Sequence, residues 1–404
     1  MPVVHPATYR PKPVARRRSK AWLLIPLCIV LAGAVNYLRP LPATTTTISA
    51  QGLAATTQPS IPWPAGAQAA VGAPGYGILG TGGTQKSLPI ANIAKVITVL
   101  CVLQKQPLAA KESGPTYVVR SSDVTIYNDY VAKDGSVVAV ALNERLTEYQ
   151  ALQALMVSSA NNVADSLAQW VFGSQDAYKA YATDFLAEHG MADTTIGHDA
   201  SGYDASTTST ASDLTKLGLL ALKNPTLMEI AGQKSAILPI AGLIHNYDTI
   251  LGTNGITGLK TGSDDKDRGA FLLTATVPVG DKQVLVTGAV MGADDIQTAL
   301  DASAQLSRSL QQGFEQVAIA GAGSQVGIMR APWGVSAPVV TTSALQVVRW
   351  RDSAISETHM LKANARQGVV GSLEVHAPGS ASKTVLRLSK PLDNPSFWWR
   401  LTHH

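Results

Sequence analysis

Residues 146–168 read LTEYQALQALMVSSANNVADSLA, and their spacing decides how the middle of the chain folds. Apolar residues recur at Leu152, Leu155, Met156, Ala160, Val163 and Leu167, a helical period, and Thr147 is placed to cap the first turn. The helix expected over residues 147–172 carries Ser159 and Asn161 inside an otherwise apolar run. Taken alone, they read as a polar cluster at a helix end. Upstream, residues 89–103 are apolar enough for a buried helix and contain one early cation, Lys95. Downstream, 271–277 and 284–291 read as strands joined by a Pro-Val-Gly-Asp turn. Long helices followed by a β-hairpin predict helices packed on an antiparallel sheet.

The length, 404 residues, predicts roughly two to three domains. Apolar residues make up 46% and charged residues 15%, which excludes a disordered, a collagen-like or a polytopic membrane chain. The net charge of +4 sits at the front. Arg10, Lys12, Arg16, Arg17, Arg18 and Lys20 occur in the first twenty residues with no acid among them, and removing these six leaves −2 for the rest. No basic stripe remains for a phosphate backbone, so no nucleic-acid partner is expected.

The uncharged stretch at 21–38, AWLLIPLCIVLAGAVNYL, follows the basic run directly. It is expected to be a transmembrane helix, with residues 1–20 a cytoplasmic tail and everything after 38 outside the membrane. A cleaved signal peptide is the alternative. Residues 39–61, rich in Thr, Ala and Pro, read as a flexible linker. Residues 62–312 form the main mixed domain. Residues 313–404, with short β-like runs between Gly, Pro and Ser turns, form a small all-β domain. The aromatic run near the C-terminus, 394–401, is too short and unpatterned for an amphipathic membrane helix; it reads as a last strand or a contact surface, with a core strand the safer reading. Cys28 and Cys101 cannot pair if Cys28 lies in the bilayer, and the scattered histidines give no metal site and no cofactor.

Three short segments carry chemistry: Lys95 in LPIANIAKVITVL, Ser159-Ala160-Asn161, and Lys260-Thr261-Gly262 in GITGLKTG. Each is weak alone, because a tripeptide occurs by chance. In this order they match the Ser-x-x-Lys, Ser-x-Asn, Lys-Thr-Gly layout of the penicillin-recognising serine enzymes. With EHGMADTTIGHDASGYD and STASDLTKL, the chain over 62–301 resembles the serine-type D-alanyl-D-alanine carboxypeptidases, the low-molecular-mass penicillin-binding proteins. The end region, QGVVGSLEVHAPG, resembles the β domain that follows in many members.

The resemblance implies an α/β (α+β) penicillin-binding/β-lactamase-like transpeptidase fold and action on peptidoglycan stem peptides ending in D-Ala-D-Ala. In that family a serine attacks the penultimate D-Ala carbonyl, and a lysine one helical turn on takes its proton. The second Ser and the Asn line the opposite wall, and the Lys-Thr-Gly strand binds the peptide and its carboxylate. This implies catalytic roles for Lys95, Ser159 and Asn161, and substrate binding by Lys260, Thr261 and Gly262. The sequence departs from the pattern where the nucleophile is expected: three residues before Lys95 stands Asn92, and the residue before the lysine is Ala94. After Gly262 the chain reads Ser263-Asp264-Asp265. Two readings follow. The first is a pseudoenzyme that binds the peptides without cutting them, and that can bind β-lactams without the covalent acylation the family shows. The second is an active carboxypeptidase with an atypical nucleophile.

Overall fold

The computed structural model describes residues 24–49, 57, 60–263, 268–362 and 364–403. Among them, a five-stranded antiparallel sheet organises the main domain, in the order Ile256–Ser263, Gly269–Val279, Lys282–Ala293, Gln68–Ala73, Gly77–Gly82. The expected hairpin is its centre, with Gly280 at positive φ in the turn. Its strands are apolar at successive positions rather than alternate ones, because both faces are covered. Ala270, Leu272 and Ala289 point to a core shared with the helix Ala211–Ala221. Phe271, Leu273 and Val290 point to a second core under the helix Ile296–Gly313.

The helix Ala94–Lys105 runs through the middle of the first core. It is buried from Ala94 to Leu103, so it is apolar all round. Lys95 and Thr98, both with no exposed surface, are the polar exceptions within that buried stretch, and Lys95 is the charged one. The helix expected over 147–172 is two helices, Glu148–Met156 and Asn161–Phe172. Thr147 caps the first: its hydroxyl accepts from the Gln150 N–H at 3.2 Å, and the Gln150 side chain returns the bond at 3.0 Å. The chain breaks between them, where Ser159 adopts φ of 60°.

Glu148 opens the first of these helices, fully buried, with neither carboxylate oxygen hydrogen-bonded. Burial raises its pKa from 4.5 to about 7. The folded state therefore holds this proton more tightly than the unfolded chain. The stability it contributes is full below about pH 4.5 and is lost as pH rises through 7. That loss is about 3 kcal/mol. Glu148→Gln is expected to remove this slope: the gap between variant and wild-type denaturation midpoints should open between pH 4.5 and 7. A parallel pair of curves would show that Glu148 does not titrate there.

The C-terminal region contains a six-stranded antiparallel sheet built on Gln325–Arg330, Ser336–Thr341, Ser380–Leu388, Val369–Ala377 and Ser356–Leu361. Its sixth, edge strand is Thr45–Ile48, pairing with 327–330, in a stretch whose composition reads as spacer. The aromatic run predicted as a strand is instead a short helix, Phe397–Thr402, because the Ser396 hydroxyl caps it on the Trp399 N–H at 3.2 Å. Among the described residues, the apolar segment expected to span a membrane forms the helix Leu24–Leu38, 15 residues. At 1.5 Å per residue that covers about 22 Å of a ~30 Å hydrocarbon layer. No helix among the described residues is long and apolar enough to cross a membrane. Residues 1–23, Asp264 and Asp265 lie outside the described ones.

Candidate active site

Asn92 sits in a short 3-10 turn, Ala91–Ile93, that leads directly into the buried helix. Ala91 before it is held at φ of 45°, a strained conformation for a residue with a Cβ. A side chain on Gly202 would stand 2.0 Å from the Ala91 carbonyl oxygen, so only glycine lets the 199–204 loop pack against this turn.

Lys95 Nζ is the hub. It donates to Asn92 Oδ1 at 2.6 Å, to Asn161 Oδ1 at 2.7 Å and to the Ser201 carbonyl oxygen at 2.9 Å. All three contacts are oxygen acceptors, which an ammonium with three protons satisfies. Burial, and then the charge of Lys260, push the Lys95 pKa down, while Asp199 and Asp165 oppose them.

Asp199 shapes the loop that offers the Ser201 carbonyl. Its carboxylate accepts from the backbone N–H groups of Ser201 at 2.8 Å, Tyr203 at 3.2 Å and Asp204 at 2.8 Å. Behind Lys95, the Thr98 hydroxyl donates to the Ala200 carbonyl at 2.6 Å and meets the Tyr178 hydroxyl at 2.7 Å. Asp165 fixes the same loop from the other side, accepting from Ala200 N–H at 2.8 Å and from Tyr130 OH at 2.7 Å. Its own pKa rises to about 6 through burial, against those two hydrogen bonds.

Asn161 is the first residue of its helix, and its backbone N–H donates to the Ser136 carbonyl at 2.8 Å. Next to it the Asn162 amide makes two 3.0 Å bonds to the Val138 backbone, pinning the facing segment. Ser159 Oγ is buried with no hydrogen-bond partner. Lys260 and Thr261 are both buried on Ile256–Ser263, the edge strand of the five-stranded sheet. Gly262 keeps that strand close to the Asn92 turn: a Cβ there would be 2.8 Å from the Ile90 carbonyl oxygen. Burial lowers the Lys260 pKa to about 8, with Asp248 pulling it up. Asp248 Oδ1 accepts from Ile250 N–H at 3.1 Å, and Oδ2 is buried without a partner.

A cavity of about 630 Å³ opens over this cluster, lined among others by Asn92, Asn161, Ser136, Tyr203, Ser263 and Arg268. Its size suits a short peptide end. The structure thus joins Asn92, Lys95 and Asn161 through direct contacts and sets the Lys260 strand beside their turn. Ser201, Asp199, Asp248 and Arg268 escape a reading by motif. The HDASGYD stretch held the only local signal, an Asp two residues before a Ser-Gly turn. Among the described residues no group of His, Cys, Asp or Glu could hold a metal ion.

No curated protein matches the chain in sequence. Solved structures do match in fold. A D-alanyl-D-alanine carboxypeptidase from Mycobacterium tuberculosis is 26% identical, with a TM-score of 0.53, and the match covers 64% of this chain and 95% of that one. A peptidoglycan synthesis regulatory factor (PBP3) from Streptococcus pneumoniae is 19% identical with a TM-score of 0.60, covering 85% of this chain and 99% of that one. Penicillin-binding protein 5 from Haemophilus influenzae is 17% identical with a TM-score of 0.55, covering 84% and 100%. The last two share the fold across both the main domain and the C-terminal region. The family model described as D-alanyl-D-alanine carboxypeptidase matches residues 55–295, more than half of the sequence, and the chain belongs to that family.

Proposed function

We propose that this protein binds peptidoglycan stem peptides ending in D-Ala-D-Ala outside the cytoplasmic membrane, and that Asn92 at the nucleophile's place leaves hydrolysis lost or greatly weakened. The observation that carries the reading is the 2.6 Å contact between Lys95 Nζ and Asn92 Oδ1. The lysine that would take a proton from a serine meets a carbonyl oxygen that has no proton to give. The rest of the site supports binding: an open cavity, the Asn161 wall, and a strand edge carrying Lys260 and Thr261. The basic run ahead of an apolar segment supports export or anchoring.

A second reading, an active carboxypeptidase, is favoured by Ser159. Its hydroxyl is buried, unpartnered and held on a positive-φ backbone, as a strained functional group can be. Two measurements on the wild type separate the readings. Calorimetric titration with an acyl-D-Ala-D-Ala tripeptide should show saturable binding, and a D-Ala release assay on the same sample should stay at background. Release at a normal enzymatic rate supports the second reading. No binding at all would sink the first.

A further inference from the structure

A cavity of about 520 Å³ opens where the main domain meets the C-terminal region. Its cause is a strand that stops early. Lys282–Ala293 pairs along its length with Gly269–Val279 on one side. On the other side its partner, Gln68–Ala73, pairs only from Met291 to Thr287. Pro74 follows, a residue with no N–H to continue the ladder. Residues 282–286 therefore run on with one edge open. The two-residue turn makes Val279 and Lys282 a bonded pair, so by antiparallel alternation the N–H and C=O of Gln283 and Leu285 face that opening. The usual guards of an edge strand are missing there: no proline, no bulge and no charge between Gln283 and Val286.

The facing wall comes from the C-terminal region. The strand Leu345–Trp350 turns the N–H groups of Gln346, Val348 and Trp350 towards the cleft, and each donates to a hydroxyl: Ser382 Oγ at 3.4 Å, Ser380 Oγ at 3.2 Å and Tyr76 OH at 3.0 Å. A hydroxyl that accepts such a bond still has its own proton to donate. Fixed contacts hold the two walls apart. Gln316 clamps the hairpin turn, accepting from the Asp281 N–H at 3.2 Å, and a Cβ on Gly280 would stand 1.7 Å from its Oε1. A Cβ on Gly75 would stand 2.4 Å from the Gly379 nitrogen, so the two regions touch backbone to backbone beside the cleft. The slot is preformed, and an occupant does not have to order it.

The period of the two walls identifies the occupant. Gln283 and Leu285 repeat their backbone groups about 7 Å apart, and Ser380 and Ser382 stand two residues apart on their own strand. That is the repeat of an extended main chain, the ligand that completes an open strand edge. Lys282 is the one charged residue among the described residues lining the cavity, so the lining selects neither an anionic nor a cationic polymer. Leu285, 43% exposed, favours an apolar or β-branched side chain opposite it. We propose that this slot binds an extended, largely uncharged segment of another protein, which adds to the five-stranded sheet beside residues 282–286 where Gln68–Ala73 leaves off. The site lies at the far end of the strand Gly269–Val279 from the Asn92 cavity, about 30 Å along it, and does not depend on how that cavity is read.

The test selects a phage-displayed library of random linear peptides against the full chain, with excess acyl-D-Ala-D-Ala tripeptide present to fill the Asn92 cavity. Enriched peptides, made synthetically, should bind the wild type and lose roughly tenfold or more on Gln283→Pro or Leu285→Pro, each of which deletes an edge N–H, while Gln283→Ala changes little. N-methylation of the peptide at successive positions should weaken binding at every other residue, the period of a paired strand. This scan needs only the wild type, so it decides the matter even where a proline variant fails to fold. No enriched peptide, binding that the folded proline variants retain, or an N-methyl profile without the two-residue period overturns the proposal. So does a wild-type dimer in sedimentation that Leu285→Pro converts to monomer, which would make a second copy the occupant.

Discussion

Asn92→Ser is expected to turn a protein that takes no covalent label from a fluorescent penicillin into one that does, with release of D-Ala from a tripeptide appearing in the same variant. A serine hydroxyl at this position would sit one bond closer to the backbone than Asn92 Oδ1, which already lies 2.6 Å from Lys95 Nζ. The side chain of Lys95 has freedom to close that gap. The lysine is also tuned for the task, because burial and the neighbouring Lys260 push its pKa down and favour the neutral amine. Labelling of the variant should therefore rise with pH, as more Lys95 loses its proton. Loss of a catalytic serine costs on the order of a millionfold in turnover, about 8 kcal/mol, and this sets the ceiling for what restoration can return. The return should fall short of the ceiling, since Ala94 supplies no hydroxyl beside the lysine. Adding Lys95→Met should abolish the label again. Wild-type labelling at the rate of the serine variant would end the binding-only reading and direct attention to Ser159.

The parts of this molecule that were legible in its sequence are those fixed by neighbours. Thr147 and Gln150 lie three residues apart and cap a helix, and the Pro278–Asp281 turn joins two apolar runs. What stayed hidden depends on contacts far apart along the chain or on single dihedrals. Apolar spacing runs unbroken from Leu152 to Leu167, so nothing in the period announces that the helix stops at Met156 and restarts at Asn161. That stop turns on Ser159 at positive φ, and it is what swings Asn161 round to Lys95. The Ser201 carbonyl reaches Lys95 across 106 residues, and no motif can assign a role to a backbone oxygen. The strand Thr45–Ile48 finds its partner at 327–330, some 280 residues on, so its composition reads as spacer. At the C-terminus, aromatic content suggested a strand, while one serine cap and docking against Tyr37 made a helix.

If, as the proposed reading has it, Lys260 holds the ligand's carboxylate, the affinity for a D-Ala-D-Ala peptide should hold steady below about pH 8 and then weaken, approaching tenfold for each pH unit. The sign follows from the site. Burial on the edge strand lowers the Lys260 pKa to about 8, so the free protein loses this proton just above neutrality. Binding an anion favours the ammonium, so above that point binding must draw in a proton and costs more. Lys260→Ala is expected to lose about 2–5 kcal/mol of binding, roughly 30-fold or more, together with the pH break itself. Lys260→Arg should keep part of the affinity and remove the break, since a guanidinium stays charged. Asp248 supplies an independent handle. It pulls the Lys260 pKa upward from the loop before the strand, and its unpartnered Oδ2 leaves it without another hydrogen bond there to serve. Asp248→Asn should therefore move the break to lower pH while leaving affinity well below it nearly unchanged. If the wild type binds equally well on both sides of the expected break, Lys260 does not hold the carboxylate. The strand edge would then contribute only backbone contacts.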